Sequence, residues 1–260
     1  MDQEQIIVTT PPQQLGALRG HRVTAAHLAY RLGKGPRLYR AAGLPPRPGG
    51  LMVIGQGDYN YPGPVEPFCH EVLRECSARG FRGVLLDLDA RLPFLEQLAD
   101  RLDQVLSCRG LTFLVPESYG DHAPGAQVLI SSALSGGTLQ GRLTEARERF
   151  GRDRVALALE RTAEDFFLPS PSGCGDPLTK EDLNKLLQQR RPSVFFSGGL
   201  CARYFTYLDG NGGPHFVLFD DGDTMHRKLE VGRRVGVSTF VLPYTELGCC
   251  LPIDAGQNRG

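Results

Sequence analysis

The chain contains no tryptophan and carries no formal net charge, because 29 Lys and Arg residues balance 29 Asp and Glu residues. A chain without excess positive charge lacks the long-range attraction that draws proteins to nucleic acids and anionic membranes, so we expect neither as a partner. No stretch approaches the roughly 18 consecutive apolar residues of a membrane-spanning helix, and no basic segment followed by an apolar run opens the sequence. These absences predict a cytoplasmic protein.

The seven cysteines are odd in number and include no C-x-x-C pair. This pattern fits neither a zinc site nor a disulfide framework, so we expect reduced thiols that mostly fill apolar space. The six histidines are scattered along the chain, and we predict no metal site and no cofactor. Cys249 and Cys250 are adjacent, and we interpret them as an apolar pair at a strand end rather than as an oxidisable pair.

What the sequence does contain is an alternation of short apolar runs with helical patterns, with 41% hydrophobic residues over 260 positions. Nearly continuous apolar runs are typical of parallel strands buried on both faces. They occupy residues 26–32, 51–55, 83–89, 112–116, 127–132, 155–160, 194–197 and 239–243, and helical spacing occurs over 65–78, 93–106, 138–150 and 180–188. The alternation predicts an α/β fold, either a barrel or a doubly wound sheet. The length matches the usual size of a TIM-type (β/α)₈ barrel, which we favour, with a single domain over residues 1–260.

Several segments depart from a regular barrel. Residues 1–20 lack a clear period and contain Pro11-Pro12, so we expect an irregular N-terminal arm. Residues 41–50 (AAGLPPRPGG) are too rich in proline and glycine for a helix, which predicts an irregular N-terminal quarter. Residues 165–177 indicate a loop insertion. Residues 204–219, with a glycine-rich turn at 210–213, predict a small β-hairpin inserted before the last strand.

The segment 201–244 combines a hairpin ending in the acidic pair Asp220-Asp221, a helix with Lys228, and Gly236 before the last strand. This arrangement resembles the closing part of family 18 glycoside hydrolases, the chitinase-like group, and the resemblance extends over roughly residues 51–244. Asp221 or Asp223 is placed to cap that helix, so we interpret these residues as structural.

Residues 82–89, RGVLLDLD, resemble the catalytic strand of the same family, whose pattern is D-G-x-D-x-D-x-E. Gly83 and Asp87 match that pattern, and Asp89 stands in place of its final glutamate. Arg82 and Leu85 replace its first two aspartates, so the catalytic motif is degenerate. The resemblance implies that Asp89 protonates the leaving oxygen while Asp87 orients the attacking acetamido group of the substrate.

The departures from the catalytic pattern of the family predict weak hydrolysis. Aspartate is one methylene shorter than glutamate, which withdraws the acid by roughly 1 Å, and such a misplacement can cost on the order of 10²-fold in rate. Leu85 removes a like-charge neighbour that would raise the proton affinity of the pair. Residues 127–135 supply no tyrosine for the acetamido group, and in the absence of tryptophan Pro243 or Tyr244 must form the floor of the sugar site.

Further polar and aromatic residues follow the predicted strands, at the end where barrels place their active sites. Acidic and tyrosine side chains at such a mouth suit hydrogen bonding to a sugar and stacking on its ring. Besides Asp87 and Asp89, we predict substrate contacts from Asp58, Tyr59, Tyr61, Glu117, Tyr119, Glu160 and Tyr244.

Three functions are compatible with these residues, and whether the protein is an enzyme stays open. The one we favour is a catalytically impaired relative of family 18 that binds a glycan, in a bacterial cell-wall or spore setting that the resemblance implies. The second is an active glycosidase on an N-acetylated polysaccharide of the chitin or peptidoglycan type, with Asp89 as acid and Asp87 or Glu117 assisting. The third is a structural or assembly barrel without a ligand. Fold alone does not choose among them, because one barrel hosts many chemistries.

Overall fold

The computed structural model describes residues 4–35, 37–40, 49–57, 63–171 and 173–251. Its backbone contacts divide the chain into two compact units. The first comprises residues 1–130, 146–158 and 237–260, and the second comprises residues 131–145 and 159–236. The expectation of a single domain therefore stays a prediction. Most of the segment 41–50 lies outside the described residues.

Eight parallel strands close into a barrel. In chain order they are β1 (Gln5–Thr10), β2 (Thr24–Gly33), β4 (Leu51–Gly55), β5 (Gly83–Asp87), β6 (Thr112–Pro116), β7 (Gln127–Ser131), β8 (Val155–Ala158) and β14 (Thr239–Pro243). Pairing of β1 with both β2 and β14 closes the ring. A short strand, β3 (Arg37–Arg40), extends the sheet as the antiparallel partner of β2. The predicted TIM-type (β/α)₈ fold is confirmed.

The barrel has one apolar interior, and the strands supply it at every second residue. The buried interior residues come from seven of the eight strands, which only the inside of a closed barrel can bring together. They are Ile7, Ala26, Leu51, Val53, Leu85, Leu114, Ala156 and Val241. The side chains between them face the helices, which explains why these strands are nearly continuous apolar runs.

The helices are α1 (Glu66–Arg79), α2 (Pro93–Ser107), α3 (Leu139–Phe150), α4 (Lys180–Arg190), α5 (Gly222–Val235) and α6 (Leu247–Cys250). α1 and α2 follow β4 and β5, and each begins with a proline in its first turn, where the missing N–H removes no hydrogen bond. The inward face of α1 carries the residues that helical spacing predicts, namely Phe68, Cys69, Val72, Leu73 and Cys76. α1 ends at Gly80, whose φ of 64° favours glycine.

The second unit is built on a five-stranded antiparallel sheet. Its strands, in spatial order, are β10 (Asp176–Pro177), β9 (Ala163–Phe167), β13 (Pro214–Phe219), β12 (Ala202–Leu208) and β11 (Phe195–Ser197). Leu183 of α4 packs on one face of this sheet, against Phe205, Val217 and Phe219. Thr179 caps α4 by accepting a hydrogen bond from the Asp182 amide. The predicted hairpin is present as β12 and β13, but the insertion that contains it is larger than predicted.

A buried ion pair lies between β13 and α5 in this unit. Lys228 Nζ is 2.5 Å from Asp220 Oδ2, and both side chains are fully buried. The other carboxylate oxygen accepts from the Thr224 hydroxyl at 2.8 Å, and Oδ2 also accepts from the Thr162 amide at 2.7 Å. Asp221 and Thr224 form a reciprocal capping box at the start of α5. The structural interpretation of these residues agrees with their contacts.

Two sequence predictions about the strands were wrong. Residues 1–20 are not an irregular arm throughout, because Ile6, Ile7 and Val8 are buried in β1, the first barrel strand. The proline pair that suggested irregularity begins only after that strand has ended. Residues 194–197 do not form a barrel strand. Part of this run is β11, the edge strand of the antiparallel sheet, where Phe195 is exposed. A short apolar run looks the same in both settings.

Candidate functional site

Asp87 stands at the mouth of the barrel, on its inner face. It is the last residue of β5, and Leu85, two residues earlier, belongs to the barrel interior. Because strand side chains alternate between faces, Asp87 points to the same side as Leu85, one layer higher. It pairs in register with Gly55, which ends β4 and has no side chain to cover it. Its carboxylate is therefore open to the space where barrels bind their ligands.

Asp87 and Asp89 interact as like charges. The Asp87 side chain reaches solvent at the strand end. The surrounding protein nevertheless displaces part of the water around its carboxylate, and this desolvation, with the charge of Asp89 as the second cause, raises the pKa of Asp87. Asp89 is exposed. The pKa of Asp87 is therefore raised, whereas the family resemblance assigns the role of the acid to Asp89, two residues later.

We expect the pKa of Asp87, followed by NMR of its carboxyl carbon, to lie above the ordinary aspartate value of about 3.9. In an Asp89→Asn variant that pKa should fall only in part, because the larger cause, desolvation, remains. Since the folded-state pKa is raised, the charged carboxylate lowers stability, and the free energy of unfolding should decrease as pH rises through the raised pKa.

The control for this titration is Asp153→Asn, which changes an exposed aspartate just before β8, at the opposite end of the strands. It should leave the Asp87 pKa unchanged. An Asp87 pKa at or below the ordinary value would contradict a desolvated mouth.

Gln56 fixes the loop that carries Asp89. Its side-chain oxygen accepts hydrogen bonds from the amides of Asp89 at 3.1 Å and Ala90 at 2.9 Å. The backbone amide of Gln56 donates to the Asp87 carbonyl oxygen at 3.0 Å. These three bonds join the end of β4 to the end of β5 and satisfy backbone groups that the ladder no longer pairs. The sequence analysis did not single out Gln56, although a polar residue directly after an apolar strand was the available signal.

Tyr119 is not available to a ligand. Its side chain is fully buried, and its hydroxyl donates a hydrogen bond to the carbonyl oxygen of Ala90. The prediction of a substrate contact from Tyr119 is therefore corrected, because neither the ring face nor the hydroxyl is open. The hydrogen bond from Tyr119 to Ala90 holds the loop after β5, so the tyrosine helps to position Asp89 and does not contact a sugar.

The remaining predicted contacts have different settings. Glu117 follows β6 and Tyr244 follows β14, and both are half-buried at the mouth end of the first unit. Glu160 belongs to the second unit, where its carboxylate accepts a 2.5 Å hydrogen bond from the Ser131 hydroxyl. Their roles as substrate contacts stay predictions. The other three predicted contacts, Asp58, Tyr59 and Tyr61, lie outside the described residues.

Among the described residues, no group of three or more His, Cys, Asp or Glu side chains is arranged to hold a metal ion. No helix in the described part of the chain is long and apolar enough to cross a membrane. Burial raises the pKa of Cys69 to about 11 and that of Cys76 to about 12, as expected of thiols that fill apolar space.

The eight parallel strands form a closed α/β barrel of the TIM type, with an antiparallel insertion between its last two strands in the sequence and an acidic pair at the end of its fourth strand. No protein-family model and no curated protein sequence matches this chain. Solved structures do match it. The Bacillus cereus spore cortex-lytic enzyme SleL is 14% identical over 96% of this chain and 75% of its own, with a TM-score of 0.65.

Two chitinases are similar in the same way. The chitinase of Chromobacterium violaceum ATCC 12472 is 14% identical over 92% of this chain and 93% of its own, with a TM-score of 0.64. The class V chitinase of Pseudomonas fluorescens Pf-5 is 13% identical over 96% of this chain and 100% of its own, also with a TM-score of 0.64. At such identities the likeness shows the fold alone, and the fold is the one that the family 18 resemblance implied.

Proposed function

We propose that this protein binds an N-acetylated glycan, of the chitin or peptidoglycan type, at the barrel mouth and hydrolyses it poorly or not at all. The observation that carries the proposal is the position of Asp87, an acidic side chain on the inner face of the mouth directly above the apolar residue Leu85. An acid in this position can accept hydrogen bonds from sugar hydroxyl or amide groups. The similar structures include two chitinases and a spore cortex-lytic enzyme, which supports this class of ligand.

Weak hydrolysis follows from the residues at positions 85, 87 and 89. A substrate-assisted glycosidase needs an acid at the leaving oxygen and a second carboxylate that orients the acetamido group. Here the shorter Asp89 stands at the acid's position in the sequence pattern and is exposed, and desolvation raises the pKa of Asp87 two residues earlier. Leu85 is buried in the barrel interior, so no carboxylate lies below Asp87 on this strand to exchange a proton with it.

A second candidate is an active glycosidase. The observation that favours it is the raised pKa of Asp87, because raised proton affinity is what a general acid needs near neutral pH. Gln56 also holds the loop of Asp89 by two hydrogen bonds, which would keep a shorter acid in one place. In this candidate Asp89 or Asp87 donates the proton, with Glu117 assisting.

One experiment separates the two candidates. Binding of chitotetraose and of a disaccharide peptidoglycan fragment is measured by NMR titration, and hydrolysis of the same samples is followed by chromatography of the products. The variants are Asp87→Asn and Asp89→Asn, and the control is Asp153→Asn at the opposite end of the barrel. We expect binding by the wild type, a weakening of about tenfold in Asp87→Asn from the loss of charged hydrogen bonds, and no products.

Rapid product formation by the wild type that is lost in Asp89→Asn or Asp87→Asn, but persists in Asp153→Asn, would establish the active glycosidase instead. If neither ligand binds and no products form, the carbohydrate proposal fails, which leaves a structural or assembly barrel. Equal weakening in all three variants would show that the mouth carboxylates make no specific contact.

A further inference from the structure

A cavity lies in the first unit, at the end of the barrel opposite Asp87. It has a volume of about 380 Å³ and is lined by residues just before or at the start of β2, β4 and β5. Among its described lining residues are Arg19, His27, Gly50 and Arg82, and none of the described lining residues is acidic. A cavity of this size fits a small molecule of sugar or hydroxy-acid dimensions.

His27 in this cavity has an unsatisfied polar atom. Its side chain is only 2% exposed, and Nδ1 has no hydrogen-bond partner among the described residues. Burial lowers the pKa of His27, and a hydrogen bond with the Gly49 backbone opposes that shift. A buried ring nitrogen without a partner is uncommon in a protein interior, because an unmade hydrogen bond there costs free energy.

Two arginines line the same cavity. Arg19 and Arg82 are exposed, and within the described part of the chain neither side chain has an ion pair or a hydrogen bond. The backbone of Arg82 is fixed, because its amide donates to the Gly50 carbonyl oxygen at 2.8 Å. Unpaired arginines beside a buried imidazole suit a carboxylate or phosphate group, which a guanidinium can bind with two parallel hydrogen bonds.

The described residues that line the cavity favour an anion at this end, because they include two arginines and no acidic residue. Arg19 precedes β2 and Arg82 directly precedes β5, so both lie at the end of the barrel where these strands begin. A local excess of positive charge raises the concentration of small anions near the cavity.

We propose that this cavity binds a small hydroxylated anion, such as a sugar phosphate or a sugar acid. Arg19 and Arg82 bind the anionic group, and the hydroxylated part of the ligand lies against His27. The site is independent of the function proposed for the barrel mouth, because it lies at the other end of the strands and uses none of the same residues.

The test is a binding titration of the full-length protein with glucose 6-phosphate and with glucuronate, with glucose and inorganic phosphate as reference probes. We expect at least one anionic sugar to bind at least tenfold more tightly than glucose and than inorganic phosphate. Arg82→Gln and Arg19→Gln should each weaken that binding about tenfold. The matched control is Arg22→Gln, which removes the same charge from an exposed arginine that does not line the cavity.

Nitrogen-15 NMR of the imidazole separates a ligand contact from general charge attraction. Saturation with the anionic sugar should shift the His27 Nδ1 resonance, and saturation with inorganic phosphate should not. Asp87→Asn should leave both the affinity and this shift unchanged, so failure of the mouth proposal and failure of this one are distinguishable. Equal losses in Arg22→Gln and Arg82→Gln, an unchanged Nδ1 resonance, or no preference for the anionic sugars over glucose would overturn the proposal.

Discussion

A Lys228→Met variant should lose about 3–5 kcal/mol of unfolding free energy. The substitution keeps the length and apolar stem of the side chain but removes the partner of a carboxylate that is itself fully buried. Asp220 would then retain only the Thr224 hydroxyl and the Thr162 amide as donors. A buried charge without an opposite charge is among the most expensive defects in a protein interior. Chemical denaturation at neutral pH, with the loss read from the midpoint, measures the effect.

The matched control is Arg203→Met in the same unit. Arg203 pairs with Asp221, but the two side chains are 32% and 37% exposed, so water replaces much of the lost interaction. We expect a loss of at most about 1 kcal/mol there. The double variant Lys228→Met, Asp220→Asn should be more stable than Lys228→Met alone, because it removes the unpaired charge. If Lys228→Met costs no more than Arg203→Met, the ion pair does not stabilise the second unit.

The fold was predictable from the sequence because its barrel strands are buried on both faces. Runs such as 51–55 and 239–243 admit few polar residues, and they match β4 and β14. The same property misled the assignment of 194–197, since three residues of an antiparallel edge strand look like a fragment of a buried one. β1 was missed for the reverse reason, because the prolines after it suggested a loop.

The candidate site was predictable only where chemistry and strand register coincide. Asp87 could be placed at the mouth, because its position in an apolar strand fixes which face it occupies. The orientation of Tyr119 could not be predicted in this way, because a residue in a short turn after a strand has no fixed face. In the structure its ring is buried. Gln56 forms hydrogen bonds with backbone groups that are distant in sequence, and Nδ1 of His27 has no hydrogen-bond partner among the described residues. Neither property leaves a pattern in the sequence.

Leu85 stands where the catalytic pattern of family 18 has an aspartate, and the structure predicts that an aspartate at this position would destabilise the barrel. Leu85 is 4% exposed and packs among the side chains of the barrel interior. Leu85→Asp would place a carboxylate there, on the same face as Asp87 and without a cationic partner among the described interior residues. We expect a loss of at least about 3 kcal/mol of unfolding free energy at neutral pH, from lost apolar contacts and the buried charge.

Leu85→Asn is the control, because it removes the same apolar contacts and introduces a polar group of similar size that has no charge. The difference between the two variants should depend on pH. Burial raises the folded-state pKa of the new carboxyl group above its unfolded value of about 4, so the added cost should be small at lower pH and should grow as pH rises above that value. A constant difference across this range would mean that the interior tolerates the charge. A difference that grows with pH would mean that the interior accommodates a charged carboxylate at this position only if neighbouring interior residues also change to pair with it or hydrogen-bond it.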